Sequence, residues 1–198
     1  VSPQAIEELE RVFKRRGTRK IIREGDFVPA AVMMILKGIG EDGYSMLFIK
    51  RPENSADTFS GHMAFPGGRM KEGDGNKLET AIRETLEETG IDLKKNGRIL
   101  GELDDFNPIS PRANHYIVTP YVSLLTRDAK IIPNDKEVDE VVWIPLSHFK
   151  DRRNLEVRMV ERKNLRIEDF VFRYQNYVIW GLTGRILYEF LSLAGHLF

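Results

Sequence analysis

Residues 65–91 read FPGGRMKEGDGNKLETAIRETLEETGI, a glycine turn followed by an acidic helix. Gly67 and Gly68 can take positive φ and let backbone approach a ligand closely. Gly73, Asp74 and Gly75 then loop towards Asn76, which suits the N-cap of a run of good helix formers, and Gly90 suits the C′ position that ends it. On this helix Glu84, Glu87 and Glu88 stand at i, i+3 and i+4, so three carboxylates share one face. Such crowding is unfavourable without a cation. Hard oxygen ligands at this density suit Mg²⁺ or Mn²⁺, which keep part of their water and bridge to phosphates. The competing reading is a solvated acidic face. A helix stabilised only by surface charge would intersperse lysines, and Arg83 to Gly90 contains none. Arg83 can pair with Glu87 one turn on.

Gly68, Asp74, Arg83, Glu84, Glu87, Glu88, Gly90 and Ile91 together resemble the Nudix box, G-x5-E-x7-R-E-U-x-E-E-x-G-U with U aliphatic. Asp74 stands in place of the first Glu, eight residues separate it from Arg83, and Thr85 replaces the first aliphatic. The Asp, the longer gap and the pair Thr80-Ala81 resemble the Nudix subgroup that cleaves coenzyme A.

Upstream, Ser2 to Arg16 read as an amphipathic helix with Ile6, Leu9, Val12 and Phe13 at helical spacing, Ser2 as cap and Pro3 at N1. A short strand is expected over Thr18–Arg23 and a buried one over Phe27–Leu36, where the run Ala30 to Leu36 is wholly apolar. Gly38, Gly40 and Gly43 turn the chain into a hairpin partner, Tyr44–Lys50. The segment from Arg51 to His62 reads as a polar loop. Leu47, Phe48, Arg51, Gly61, Phe65, Pro66, Gly67 and Gly68 resemble the second signature of the coenzyme A subgroup, with a loop one residue longer and Asp57 where that signature has Arg. Arg51, His62, Gly67 and Gly68 are therefore the candidate substrate-binding residues, although a histidine beside a glycine turn is more often structural.

Downstream, Arg98–Phe106 and Asn114–Leu125 read as strands joined through Asn107 to Pro111. Val118-Thr119-Pro120 and the run Glu137 to Leu146 resemble further family segments. Glu137 or Glu140 could face the metals or sit in solvent. Leu165–Tyr174 reads as a late strand and Tyr177–Phe198 as a terminal helix, in which Ile179 to Leu187 resembles the subgroup's I-W-G-x-T-x-x-I-L ending.

Thirty basic and thirty acidic residues cancel, which argues against nucleic acid as a partner. With no cysteine there is no disulfide or thiolate chemistry. No signal-peptide core or membrane-length apolar run is read from the chain, so a cytoplasmic protein without a membrane partner is expected. A homodimer through the two terminal helices is compatible with their apolar faces.

The resemblance implies an α/β fold: a Nudix-type α/β/α sandwich around a mixed sheet, with extra N-terminal and C-terminal helices. Residues 1–198 form one such domain, with 1–17 a helical extension, 65–91 the loop-helix-loop of the box and 176–198 the terminal helix. It implies a metal-dependent pyrophosphohydrolase of a small nucleotide-containing diphosphate, with coenzyme A or a derivative first. ADP-ribose, dinucleotides, nucleoside triphosphates and a non-catalytic sensor are the alternatives. Glu84, Glu87 and Glu88 are the candidate ligands of Mg²⁺ or Mn²⁺, assisted by a carbonyl of Gly67 or Gly68. Glu84, Arg83 and Glu87 are the candidate catalytic set. Arg83 orients the cluster, and the base is Glu84, Glu137 or Glu140.

Overall fold

The computed structural model describes every residue except 1–2, 23–24, 41–42, 54–60 and 163–164. The expectations placed on Ser2, Arg23 and Asp57 lie outside the described residues.

Helix α1 (Pro3–Arg15) buries Ile6, Leu9 and Phe13, the stripe its periodicity requires. The strand expected over Thr18–Arg23 does not form among its described residues. The amides of Arg19 and Ile21 donate instead to the carboxylates of Asp104 and Asp105, at 2.9 and 3.1 Å. Aspartate oxygens thus take hydrogen bonds that a ladder would have used.

Strand β1 (Val28–Ile39) turns through Gly40, at φ +60°, into its antiparallel partner β2 (Gly43–Lys50). Then follow β3 (Met63–Ala64), β4 (Gly67–Arg69), α2 (Lys77–Thr89), α3 (Leu93–Asn96), β5 (Gly97–Glu102) and β6 (Tyr116–Leu125). The main sheet is completed by β7 (Glu140–Pro145), which is followed by the short α4 (Leu146–Lys150). Its order is β3-β2-β1-β6-β5, with β4 against β1 and β7 against β2. The β1–β6 pairing is parallel and the others antiparallel, so the sheet is mixed. A second, antiparallel sheet holds β8 (Leu155–Arg162), β9 (Leu165–Tyr174) and β10 (Tyr177–Ile179), and α5 (Gly181–Ala194) follows it.

The apolar run in β1 is explained by burial on both faces. Ala31, Met33 and Ile35 join the core beneath α2, which includes Ala81. Met34 and Leu36 point the other way, into a core shared with Phe13 of α1, Phe172 of β9 and Phe190 of α5. Helices therefore cover both sides of a mixed sheet, the α/β architecture expected, with additional helices from the two ends of the chain. Both terminal helices pack on this core: Leu9, Leu187 and Phe190 are wholly buried, while Tyr188 of α5 stays exposed. Each such buried side chain contributes ~1.5–3 kcal/mol to the fold.

The terminal helix is shorter than expected. Tyr177–Ile179 pairs with Phe172–Tyr174, and the helix begins only at Gly181, whose φ is +62°. No helix among the described residues is long and apolar enough to cross a membrane.

Candidate active site

Helix α2 is fixed at both ends by the residues expected to fix it. The Asn76 side chain accepts from the Glu79 amide at 3.0 Å, and Gly90, at φ +75°, returns its N–H to the Leu86 carbonyl at 3.0 Å. Between the caps, Ala81 and Thr85 face the core, and the buried Thr85 hydroxyl is satisfied by the Ala81 carbonyl at 2.7 Å. Threonine at an aliphatic position therefore leaves no buried donor unpaired.

Glu84 and Glu88 lie on the buried side of this helix, at 6% and 2% exposure. The glycine turn explains how carboxylates can sit there. The Gly67 amide donates to Glu88 Oε2 at 2.9 Å. A Cβ on Gly68 would stand 2.7 Å from the Glu84 carboxyl carbon, and one on Gly67 would stand 2.3 Å from the Ala31 carbonyl oxygen. At Gly67 a side chain would thus strike the β1 backbone, and at Gly68 the Glu84 carboxylate.

Glu137 brings a third carboxylate. The chain after β6 docks on the C-terminal end of α2, where the Ile132 amide donates to the Thr89 carbonyl at 2.8 Å and the Asn134 amide to the Glu88 carbonyl at 3.0 Å. This docking brings oxygens of Glu84, Glu88 and Glu137 within 4.8 Å of one another. Burial, reinforced by Glu84 and Glu137, pushes the Glu88 carboxyl up to about 8, against the lowering effects of the Gly67 amide and Arg51.

Glu87 sits differently from its neighbours on the helix. Its half-exposed carboxylate pairs with Arg83 Nη1 at 3.1 Å and Lys71 Nζ at 3.3 Å. The same two cations reach Glu84, at 2.7 and 3.6 Å. The expected Arg83–Glu87 pair is present, but the guanidinium is held chiefly by Asp74, through Nε–Oδ1 at 2.8 Å and Nη2–Oδ2 at 2.9 Å. Asp74 also accepts from Thr80 Oγ1 and the Lys71 amide, both at 2.9 Å. Arg83, first among these partners, holds the Asp74 carboxyl well below the usual carboxylate range. Glu140 is elsewhere, accepting from Lys50 Nζ at 3.0 Å and from the Tyr177 hydroxyl.

A cleft of about 580 Å³ opens beside the turn. Arg51, His62, Gly67 and Gly68 all line it, so the four residues grouped from the sequence share one wall space. The cleft also draws on Trp180, Thr183 and Arg185 from the start of α5, and on Asp169 from β9. Sequence reasoning did not single these out as site residues. The available signal was that Arg185 is the lone charge in the stretch Tyr177 to Leu187.

The NUDIX domain family model matches residues 27–163. A protein described as uncharacterized Nudix hydrolase NudL from Pectobacterium atrosepticum is 32% identical over 143 residues, covering 72% of each chain. Its counterpart from Photorhabdus laumondii is 31% identical over 72% of this chain and 74% of its own. Among solved structures, a MutT/nudix family protein from Enterococcus faecalis superposes with a TM-score of 0.53 at 17% identity, over 97% of this chain and 74% of that one. The NUDIX domain of Shewanella oneidensis NrtR, solved with ADP ribose, gives a TM-score of 0.50 at 19% identity, over 64% and 77%. These two likenesses speak to the fold. A domain match over most of the chain, joined to relatives of that identity and coverage, makes this chain a member of the Nudix hydrolase family, pyrophosphohydrolases that act on phosphorus-containing anhydrides.

Proposed function

We propose that the protein hydrolyses the diphosphate of coenzyme A or a derivative, giving 3′,5′-ADP and 4′-phosphopantetheine, with Mg²⁺ or Mn²⁺. The observation that carries the diphosphate reading is the shared backbone of Gly67 and Gly68. It contacts the buried carboxylates Glu84 and Glu88 and also lines the cleft. The coenzyme A reading is supported by the resemblance, whose subgroup residues Asp74 and Thr80 hydrogen-bond to each other.

The donor set fits a hard divalent cation, because it is all oxygen and places two buried carboxylates with a third. Glu84, Glu88 and Glu137 would hold that cation, which when bound supplies charge neutralisation on the phosphates and a more acidic water. Arg83 orients Glu84 from a position that Asp74 fixes. Glu84 or Glu137 takes the proton of the attacking water, a choice supported by the engagement of Glu140 with Lys50 and Tyr177. Glu87 acts first as the second anchor of Arg83 and Lys71, and joins the ligand set where those cations release it. Arg51, near enough to lower Glu88, faces the substrate phosphates together with the Gly67–Gly68 backbone.

The test is a panel of coenzyme A, ADP-ribose, dinucleotides and nucleoside triphosphates with each metal, products separated by chromatography. Coenzyme A giving 3′,5′-ADP supports the proposal. Preferential cleavage of another compound replaces the substrate, and binding without product marks a sensor.

A further inference from the structure

Arg185 lines the cleft from the first turns of α5 and is partly buried. Its visible partners are weak for a guanidinium. Nη1 donates to the Asn107 carbonyl at 3.3 Å, and the group lies 5.7 Å over the Phe106 ring. Among the described residues no carboxylate approaches it within the 4.0 Å of an ion pair. Burial therefore lowers its proton affinity, with Asp169 opposing only at longer range. Among the described residues lining the cleft Asp169 is the one carboxylate, against Arg51, Arg69 and Arg185, and its Oδ1 already accepts from the Gly181 amide at 3.1 Å. A desolvated cation without a paired anion is costly, and an anionic ligand offsets that cost.

Its position separates it from the carboxylate centre. Gly68 of β4 pairs with Ala31 of β1, β1 pairs with β6, and Phe106 bridges Val118 on the far edge of β6. Gly68 and Phe106 are thus three strand spacings apart, about 14 Å. A diphosphate beside Gly67 and Gly68 leaves Arg185 to a second anionic group of the same ligand.

We propose that Arg185 is a specificity-determining residue of this cleft and takes a phosphomonoester of the substrate, distinct from the diphosphate that is cleaved. The inference rests on the diphosphate reading above. The planar guanidinium suits a phosphate oxygen pair, and coenzyme A carries such a group on its ribose.

The test compares wild type with Arg185→Gln and Arg185→Lys, using coenzyme A and 3′-dephospho-coenzyme A with Mn²⁺. Loss of a charge-assisted contact predicts that Arg185→Gln raises KM for coenzyme A about 10- to 100-fold. Its kcat should change less than about threefold, and KM for the dephospho compound about twofold at most. Arg185→Lys should recover part of the loss. Equal loss on both substrates would overturn the proposal and make Arg185 a brace for the Asn107 loop. If wild type cleaves neither compound, the coenzyme A reading fails separately, and calorimetry with 3′,5′-ADP and 5′-AMP decides this one. Tighter binding of 3′,5′-ADP that Arg185→Gln abolishes supports it, and equal binding or none overturns it.

Discussion

Asp74 grips Arg83 with both carboxylate oxygens, at 2.8 and 2.9 Å, while the same guanidinium reaches Glu84 at 2.7 Å. Through Arg83, the Glu84 carboxylate is thus positioned by a residue outside its own helix. Asp74→Asn keeps the size and loses the charge and one acceptor. Turnover should fall about tenfold and stability by about 1–3 kcal/mol, the range for a charge-assisted hydrogen bond. Steady-state rates and thermal melts check this. Unchanged rates would mean that Glu87 alone suffices to hold Arg83.

Glu84→Gln and Glu88→Gln should each cut turnover at least ~100-fold, the scale of a lost electrostatic or general-base contribution. Glu87→Gln should cost less, about tenfold, because its half-exposed carboxylate stands outside the group formed with Glu137. Near wild-type rates for Glu84→Gln or Glu88→Gln would sink the site assignment, and a Glu87→Gln loss as deep as theirs would return Glu87 to the ligand set.

Glu88 gives a pH signature. It ionises near 4.5 in an unfolded chain and at about 8 in the fold. Through that window the folded protein keeps a proton that the unfolded one has lost, so this group makes metal-free stability fall as pH rises, levelling off above about 8. Glu88→Gln cannot ionise and should gain on wild type between pH 5 and pH 8.5 in chelator. Melts with parallel pH profiles for the two proteins would contradict the assignment. Added Mn²⁺ should raise the wild-type melting temperature more at pH 8 than at pH 5.5, because the cation displaces that proton.

Gly68→Ala should be far more damaging to rate than to folding. The new methyl would meet the Glu84 carboxylate at 2.7 Å, the end of a side chain that can turn aside. Gly67→Ala would instead meet the Ala31 carbonyl oxygen at 2.3 Å, where only backbone can give way. Circular dichroism melts alongside assays separate the two. The Gly68→Ala protein should melt near wild type with turnover down at least ~10-fold, and the Gly67→Ala protein should be poorly folded.

Local chemistry made α2 and its caps legible, because Asn76, Gly90 and the carboxylates between them act within a few residues. The apolar run of β1 likewise announced burial on both faces. What sequence could not reveal depended on distant partners. Arg19 and Ile21 fail to form a strand because Asp104 and Asp105, some 84 or 85 residues on, take their amides. Tyr177–Ile179 looks helical by its apolar content and becomes a strand because β9 offers it an edge. Glu137 and Glu140 were equivalent candidates on the chain. Docking on α2 separates them, sending one to Glu88 and the other to Lys50.

That docking is made by main-chain groups of Ile132 and Asn134 on the carbonyls of Thr89 and Glu88. The location of Glu137 is therefore set by the path of the chain together with the buried Val138 beside it. Exposed neighbours such as Asp135 and Lys136 can drift in sequence while the third carboxylate stays in register, whereas a one-residue deletion there would carry it away from the centre without changing any residue of the box.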